Sequence, residues 1–206
     1  MKRVSLFVDF WNYQLQWNDL VGGMKQCDWP QMPAAFVREA GIQLLQAGID
    51  EPLQLEETRV YASYDPESSK EVPLRRWLSD FLDRQPSFRV FTAERKRGTQ
   101  EIRCRQCGQM FTECPNCGEL LIGTREKGVD TAIVTDMLSL AWEKAYDAAV
   151  LVSSDADMVP CVERLQEKGL KVINAAWPTK GHALAKACWA SFNIMPVTKK
   201  LIRKDI

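Results

Sequence analysis

An α/β fold, with a mainly parallel central sheet flanked by helices in a Rossmann-like three-layer arrangement, is predicted by three observations. Short apolar runs rich in Val, Ile and Phe recur along the chain. Segments with helical apolar spacing separate most of them, and no internal repeat or low-complexity tract breaks the alternation. Strands alternating with helices favour a parallel sheet covered on both faces.

Residues 4–9 form an apolar run ending in Asp9 and read as a buried strand. Residues 33–47 place Phe36, Val37, Ala40, Leu44 and Leu45 at helical spacing, with Pro33 in the first turn and Gly48 as the stop. Residues 58–63 read as the second strand. Residues 72–82 read as an amphipathic helix with Leu74, Trp77, Leu78, Phe81 and Leu82 on one side, and residues 88–93 as the third strand. Residues 95–127 break the pattern with glycines, basic residues and cysteines. The longest helix is predicted over 129–146, with Ile133, Val134, Met137, Leu138, Ala141 and Trp142 as its stripe. A fourth strand over Ala148–Val152, a helix over 158–168 and a fifth strand over 170–175 follow. A short helix over 182–189 and a last strand over 192–197 complete the series.

The chain has 206 residues, 46% of them apolar, enough for one domain with a real core; we read 1–206 as a single domain carrying an insertion at 96–126. Lys+Arg and Asp+Glu balance at 27 each, so nucleic-acid binding would need a local basic patch. The one histidine, His182, excludes mechanisms that need two, and it is assigned no role. No signal peptide opens the chain and no apolar run approaches membrane length, which points to a soluble, cytoplasmic protein with no membrane partner. Nothing excludes a homo-oligomer.

Cys104-Arg-Gln-Cys107-Gly and Cys114-Pro-Asn-Cys117-Gly are two turns of the kind that converge two thiolates on one ion. Together they suit a structural tetrahedral zinc, against disulfides or free thiols as the other readings; iron also accepts four thiolates. Cys27, Cys161 and Cys188 read as small buried hydrophobes, in a pattern that favours a reducing compartment. Four cysteines leave no open coordination position, so chemistry must come from elsewhere.

The carboxylates supply a candidate. Asp9 ends the first strand, Asp155 and Asp157 follow the fourth, and Asp130 opens the long helix. Sites in parallel α/β folds gather at the carboxyl ends of strands. Clustered carboxylates repel unless a cation or hydrogen bonds offset them, and all-oxygen sites suit magnesium or manganese. Asn12 adds an amide beside Asp9. Singly, each acid also reads structurally: Asp130 and Asp155 stand where a helix N-cap belongs, and Asp9 where a strand stops. Asp136 lies about 120° round the helix from Asp130 and need not share its site.

Phe7-Val8-Asp9-Phe10-Trp11-Asn12, Lys127-Gly128-Val129-Asp130 with Asp136 downstream, and Ser153-Ser154-Asp155-Ala156-Asp157-Met158-Val159-Pro160 resemble, in that order, the NYN-domain family of PIN-like nucleases. The resemblance covers about residues 3–176. It implies a PIN-like α/β fold, metal-dependent ribonuclease activity, and Mg or Mn ligands at Asp9, Asp130, Asp155 and Asp157 with Asn12 nearby. Ser154 and Ala156 stand where the family more often has glycine. The cysteine-bearing zinc-knuckle insertion departs from the minimal family domain.

Residues 95–127 also hold basic side chains. Arg103, Arg105, Arg125 and Lys127 are the candidate phosphate contacts, with a solvated loop as the other reading. Phe111 could stack a base or pack the knuckles. Trp11, Trp17 and Trp29 read mainly as core, and Lys199, Lys200, Arg203 and Lys204 as a solvated basic tail. The leading function is a metal-dependent ribonuclease acting on RNA. A noncatalytic RNA-binding or assembly module, and a metal-dependent phosphatase or nucleotide-processing enzyme, are the alternatives.

Overall fold

The computed structural model describes residues 1–22, 25–178 and 180–203; Lys204 of the basic tail lies outside them. Strand β1 (Lys2–Asp9) occupies the middle of a six-stranded sheet. Its alternation sorts the layers. Val4, Leu6 and Val8 point into one core, and Phe7 into the other. The neighbours are β2 (Leu53–Tyr64) and β8 (Ala148–Val152), and every pairing in the sheet is parallel. Beyond them lie β3 (Phe88–Glu94) on one side, then β9 (Lys171–Ala176) and β10 (Ala190–Asn193) on the other. The order is β10-β9-β8-β1-β2-β3, the doubly wound arrangement the alternation predicts.

Helices α1 (Phe10–Val21), α2 (Met32–Gln46) and α3 (Val72–Arg76) cover the Val4 face, with α3 continuing as a π-helical turn over Trp77–Leu82. Phe10, Tyr13 and Trp17 from α1 and Phe36 from α2 are buried there. Burying a side chain such as Phe36 contributes on the order of 2–3 kcal/mol. Helices α4 (Val129–Trp142), α5 (Val159–Glu167) and α6 (His182–Ala187) cover the Phe7 face.

Several elements differ from expectation. Helix α1 was not anticipated; its stripe of Phe10, Tyr13 and Trp17 has helical spacing, but it is wholly aromatic. Strand β10 ends at Asn193, and 195–200 is instead helix α7 (Met195–Lys200), which Pro196 opens. Helix α4 stops at Trp142, and Lys144 turns the chain with φ of 55° so that the Tyr146 hydroxyl donates to the Met137 carbonyl at 2.6 Å. Trp142 is 64% exposed and Leu45 58% exposed, so neither belongs to the core stripe assigned to it. Residues 156–158 form a 3-10 turn before α5.

The break at 95–127 is an antiparallel ribbon of β4 (Lys96–Thr99) and β7 (Ile122–Arg125). At its tip sit two small hairpins, one closed by β5 (Ile102–Arg103) against β6 (Met110–Phe111), the other by a bridge between Glu113 and Leu120. Phe111 is half-buried within them.

Candidate active site

Strands β1 and β8 are adjacent, but the chain leaves them in opposite directions, β1 towards β2 and β8 towards β9. Their carboxyl ends therefore flank a crevice. Asp9 caps α1: its Oδ1 accepts from the Asn12 backbone N–H at 3.2 Å, and its Oδ2 from the Ser153 hydroxyl at 3.2 Å. The Asn12 side-chain oxygen accepts from the Ser154 N–H at 3.1 Å, which ties the start of α1 to the loop after β8. Ser153 Oγ also accepts from the Asp155 N–H at 3.1 Å, and Asp155 Oδ1 caps the next turn by accepting from the Asp157 N–H at 2.9 Å. From β9, the buried Asn174 amide donates to the Leu151 and Ser153 carbonyls, both at 3.0 Å. Gly181 closes the brace from behind. Its φ is +71°, and a Cβ there would lie 2.8 Å from Ser154 Cα.

The charges in this crevice are crowded. Burial pushes the Asp9 carboxyl up to about 6; Asp130 and Glu126 push it further the same way, while the Asn12 N–H and Ser153 hydroxyl oppose. Asp130 is also raised, first by burial and then by Asp155, Glu126 and Asp157. Acids from three chain segments, at 9, 126–130 and 155–157, thus act on one another here. Asp130 is not the helix cap expected of it. Gly128 holds that position, and Asp130 sits in the first turn of α4. Asp136 is turned away, accepting from Arg59 at 2.7 Å and from the Tyr61 hydroxyl at 2.8 Å.

The NYN domain profile matches residues 3–194. The chain belongs to the NYN domain family. NYN domains are PIN-like nucleases, a family that works with divalent metals and whose general reading is nuclease function. A crystal structure of a protein of unknown function from Vibrio parahaemolyticus is similar in fold, with a TM-score of 0.56 at 17% identity over 94% of each chain. No curated protein matches.

No motif in the sequence singles out Glu126, Ser153 or Asn174 of this NYN domain as site residues. The Ser63 hydroxyl at the end of β2 bonds Glu126, which holds that acid near Asp9 and Asp130. The only local signal for Glu126 is its place one residue before Lys127-Gly128.

The donors of the crevice are carboxylate and amide oxygens. That chemistry fits magnesium or manganese. Among the described residues no three His, Cys, Asp or Glu side chains are drawn into a ready ion-holding group, so the acids border the crevice rather than close on one point.

The basic candidates divide. Arg125 and Lys127 line a hollow of about 700 Å³ together with Lys96 and Arg97. Arg97 is committed to Asp65, at 2.8 Å. Arg103 instead lies over Gly108 of the first hairpin, and Arg105 is exposed on that hairpin. The cysteines form two pairs of the same build. Cys104 N–H donates to the Gln109 carbonyl at 2.8 Å and Gly108 N–H to the Cys104 carbonyl at 2.9 Å; Cys114 and Gly118 repeat this at 2.7 and 2.8 Å. Gly108 and Gly118 have φ of 75° and 74°. Backbone N–H groups of Cys107 and Gln106 hold the Cys104 thiol below its ordinary range, and those of Asn116 and Cys117 do so for Cys114. The two pairs do not meet as one four-sulfur group. Of the remaining cysteines, Cys161 and Cys188 are buried; Cys27 is half-buried with its sulfur 3.4 Å from the Tyr13 hydroxyl. Trp17 and Trp29 are core, and Trp11 is half-buried. No helix among the described residues is long and apolar enough to cross a membrane.

Proposed function

We propose that this NYN domain is a metal-dependent ribonuclease that hydrolyses RNA phosphodiester bonds. The observation that carries the reading is that Asp9, Glu126, Asp130 and Asp155 border one crevice at the switch point between β1 and β8, with Asp9, Asp155 and Glu126 each held there by a hydrogen bond with Ser153 or Ser63. Asp9, Asp130, Asp155 and Asp157 would hold Mg or Mn, with Glu126 adding a further carboxylate. A divalent cation bound there supplies an activated water and offsets charge growing on the phosphoryl oxygens.

The chain's own residues do the positioning. Two hydrogen bonds fix the Asp9 carboxylate, and the same Ser153 hydroxyl sets the Asp155 backbone. Asn12 locks the two loops together through Ser154. Arg125 and Lys127, with Lys96, offer phosphate contacts, while Arg103 and Arg105 sit further out on the knuckles. No side-chain nucleophile is needed. The two cysteine pairs supply four thiolates of the kind that would hold one structural zinc, or iron.

The test is cleavage of labelled single-stranded RNA with and without Mn²⁺. Asp155→Asn keeps a cap of equal strength and removes the charge. Activity is expected to fall by at least about 100-fold, as for loss of a principal electrostatic contribution. Cleavage that persists unchanged in Asp155→Asn and in chelator refutes the mechanism.

A further inference from the structure

A groove of about 1000 Å³ opens at the same carboxyl edge of the sheet, on the side covered by α1 and α3. Its inner end is Phe10 and Trp11, which follow Asp9 in the chain. The Trp11 indole N–H donates to the Ser63 carbonyl at 2.6 Å, and the Ser63 hydroxyl bonds Glu126. Groove and carboxylates therefore share a wall.

One side of the groove is the ring pair Trp77 and Phe81, 6.2 Å between centroids and 26° from parallel. Phe81 is 42% exposed. Both belong to the π-helical turn, a geometry that is rare and concentrated at functional positions. The groove is also lined by a strap in which Asp28 N–H donates to the Leu201 carbonyl and Arg203 N–H to the Gln26 carbonyl, each at 2.8 Å. This strap, read from sequence as a solvated tail, brings Lys25, Lys200 and Arg203 to the groove. Among the described residues none of the three joins an ion pair. Among the described residues lining the groove the one acid, Asp28, spends its carboxylate on the Gln31 backbone and side-chain N–H groups.

An exposed Phe81 ring, backed by Trp77, on a groove whose cations join no ion pair among the described residues matches an unpaired nucleic-acid strand, whose bases stack and whose phosphates need neutralising; Arg203 meets only the neutral Gln26 side chain, at 3.5 Å. A duplex hides its base faces and cannot use the rings. We propose that this groove holds unpaired nucleotides of the RNA, with a base on Phe81 and phosphates at Lys200 and Arg203, and that it restricts the substrate to single strands. The proposal rests on the ribonuclease reading for its ligand.

The test measures equilibrium binding of a labelled 12-nucleotide single strand and of its duplex, in chelator so that nothing is cut. Phe81→Ala is expected to weaken single-strand binding about 10-fold and leave duplex binding unchanged. Lys200→Glu with Arg203→Glu, on the exposed strap, tests the same groove without touching the core. That pair should weaken single-strand binding and flatten its salt dependence by about 0.7 in slope for each lost contact. Unchanged single-strand affinity in both variants, equal wild-type affinity for duplex, or binding of an acidic peptide but no RNA, each overturns the groove. Mn²⁺-dependent cleavage with unchanged variant binding sinks the groove alone. Variant-sensitive binding with no cleavage by the wild type supports the groove and counts against the nuclease reading.

Discussion

Replacing Asp9 by Asn should make the metal-free protein more stable, although Asp9 makes two hydrogen bonds. The carboxyl is held at about 6 against an ordinary 3.8, with burial as the first cause and the neighbouring carboxylates adding to it. About two decades of proton affinity, at about 1.4 kcal/mol each, amount to roughly 3 kcal/mol. The sign follows from which state holds the proton. Folded Asp9 keeps its proton to higher pH than the unfolded chain does. The penalty is therefore absent below about pH 4, grows between about 4 and 6, and is complete at pH 7. Asn keeps the oxygen that accepts from Asn12 N–H but turns a donor towards Ser153, so about 3 kcal/mol is the ceiling of the gain. At a few degrees per kcal/mol for a domain of this size, the melting temperature at pH 7 should rise by up to about 10 °C. Thermal unfolding of both proteins in chelator at pH 4, 5, 6 and 7 reads this directly. Added Mn²⁺ should then stabilise the wild type and leave Asp9→Asn almost unmoved. A variant that is less stable at pH 7, or whose gain is as large at pH 4, refutes the reasoning.

Three further outcomes are expected. Protein purified without added metal should carry about one zinc per chain, and Cys107→Ser should lose it while far-UV circular dichroism of the α/β core is unchanged. Gly181→Ala forces a left-handed backbone and a contact of 2.8 Å onto Ser154, so unfolding should show about 1–2 kcal/mol lost, with RNA cleavage falling further than stability alone explains. Asp136→Asn removes the charge that Arg59 and Tyr61 address, so denaturant unfolding should show a loss of about 1–3 kcal/mol while Mn²⁺ binding, by titration calorimetry, is unaltered.

What the sequence made legible was local. Strand β8 is apolar at every position and buried at every position, so its bounds were readable to the residue. Asp9 and Asp155 could be put at strand ends because a strand and its first turn are set by neighbouring residues. Helix α1 is hard to read because its buried face is Phe10, Tyr13 and Trp17, three aromatics instead of the aliphatic repeat that marks a helix such as α4. The groups that aim the carboxylates are tertiary. Ser153 reaches Asp9 across 144 positions, and Asn174 reaches Ser153 from the next strand. No spacing announces such pairs. Arg103 and Arg125 look alike in the sequence; which one reaches the hollow is decided by the hairpin that turns Arg103 onto Gly108.

The central place of β1 has a consequence for synthesis. Its partner β2 begins at Leu53, but its other partner, β8, pairs from Ala148 onward. A nascent chain that has reached β3 can assemble three strands under α1, α2 and α3. The opposite face, with Phe7 and Tyr61, and the open edge of β1 then wait for α4 and β8. At about 5–20 residues per second the wait from residue 94 to residue 152 lasts roughly 3–12 s. The cysteine hairpins emerge inside that interval, and their pairings are closed within a few residues. The ribbon can thus reach its own shape while the half-built sheet is the species most exposed to chaperones and to aggregation.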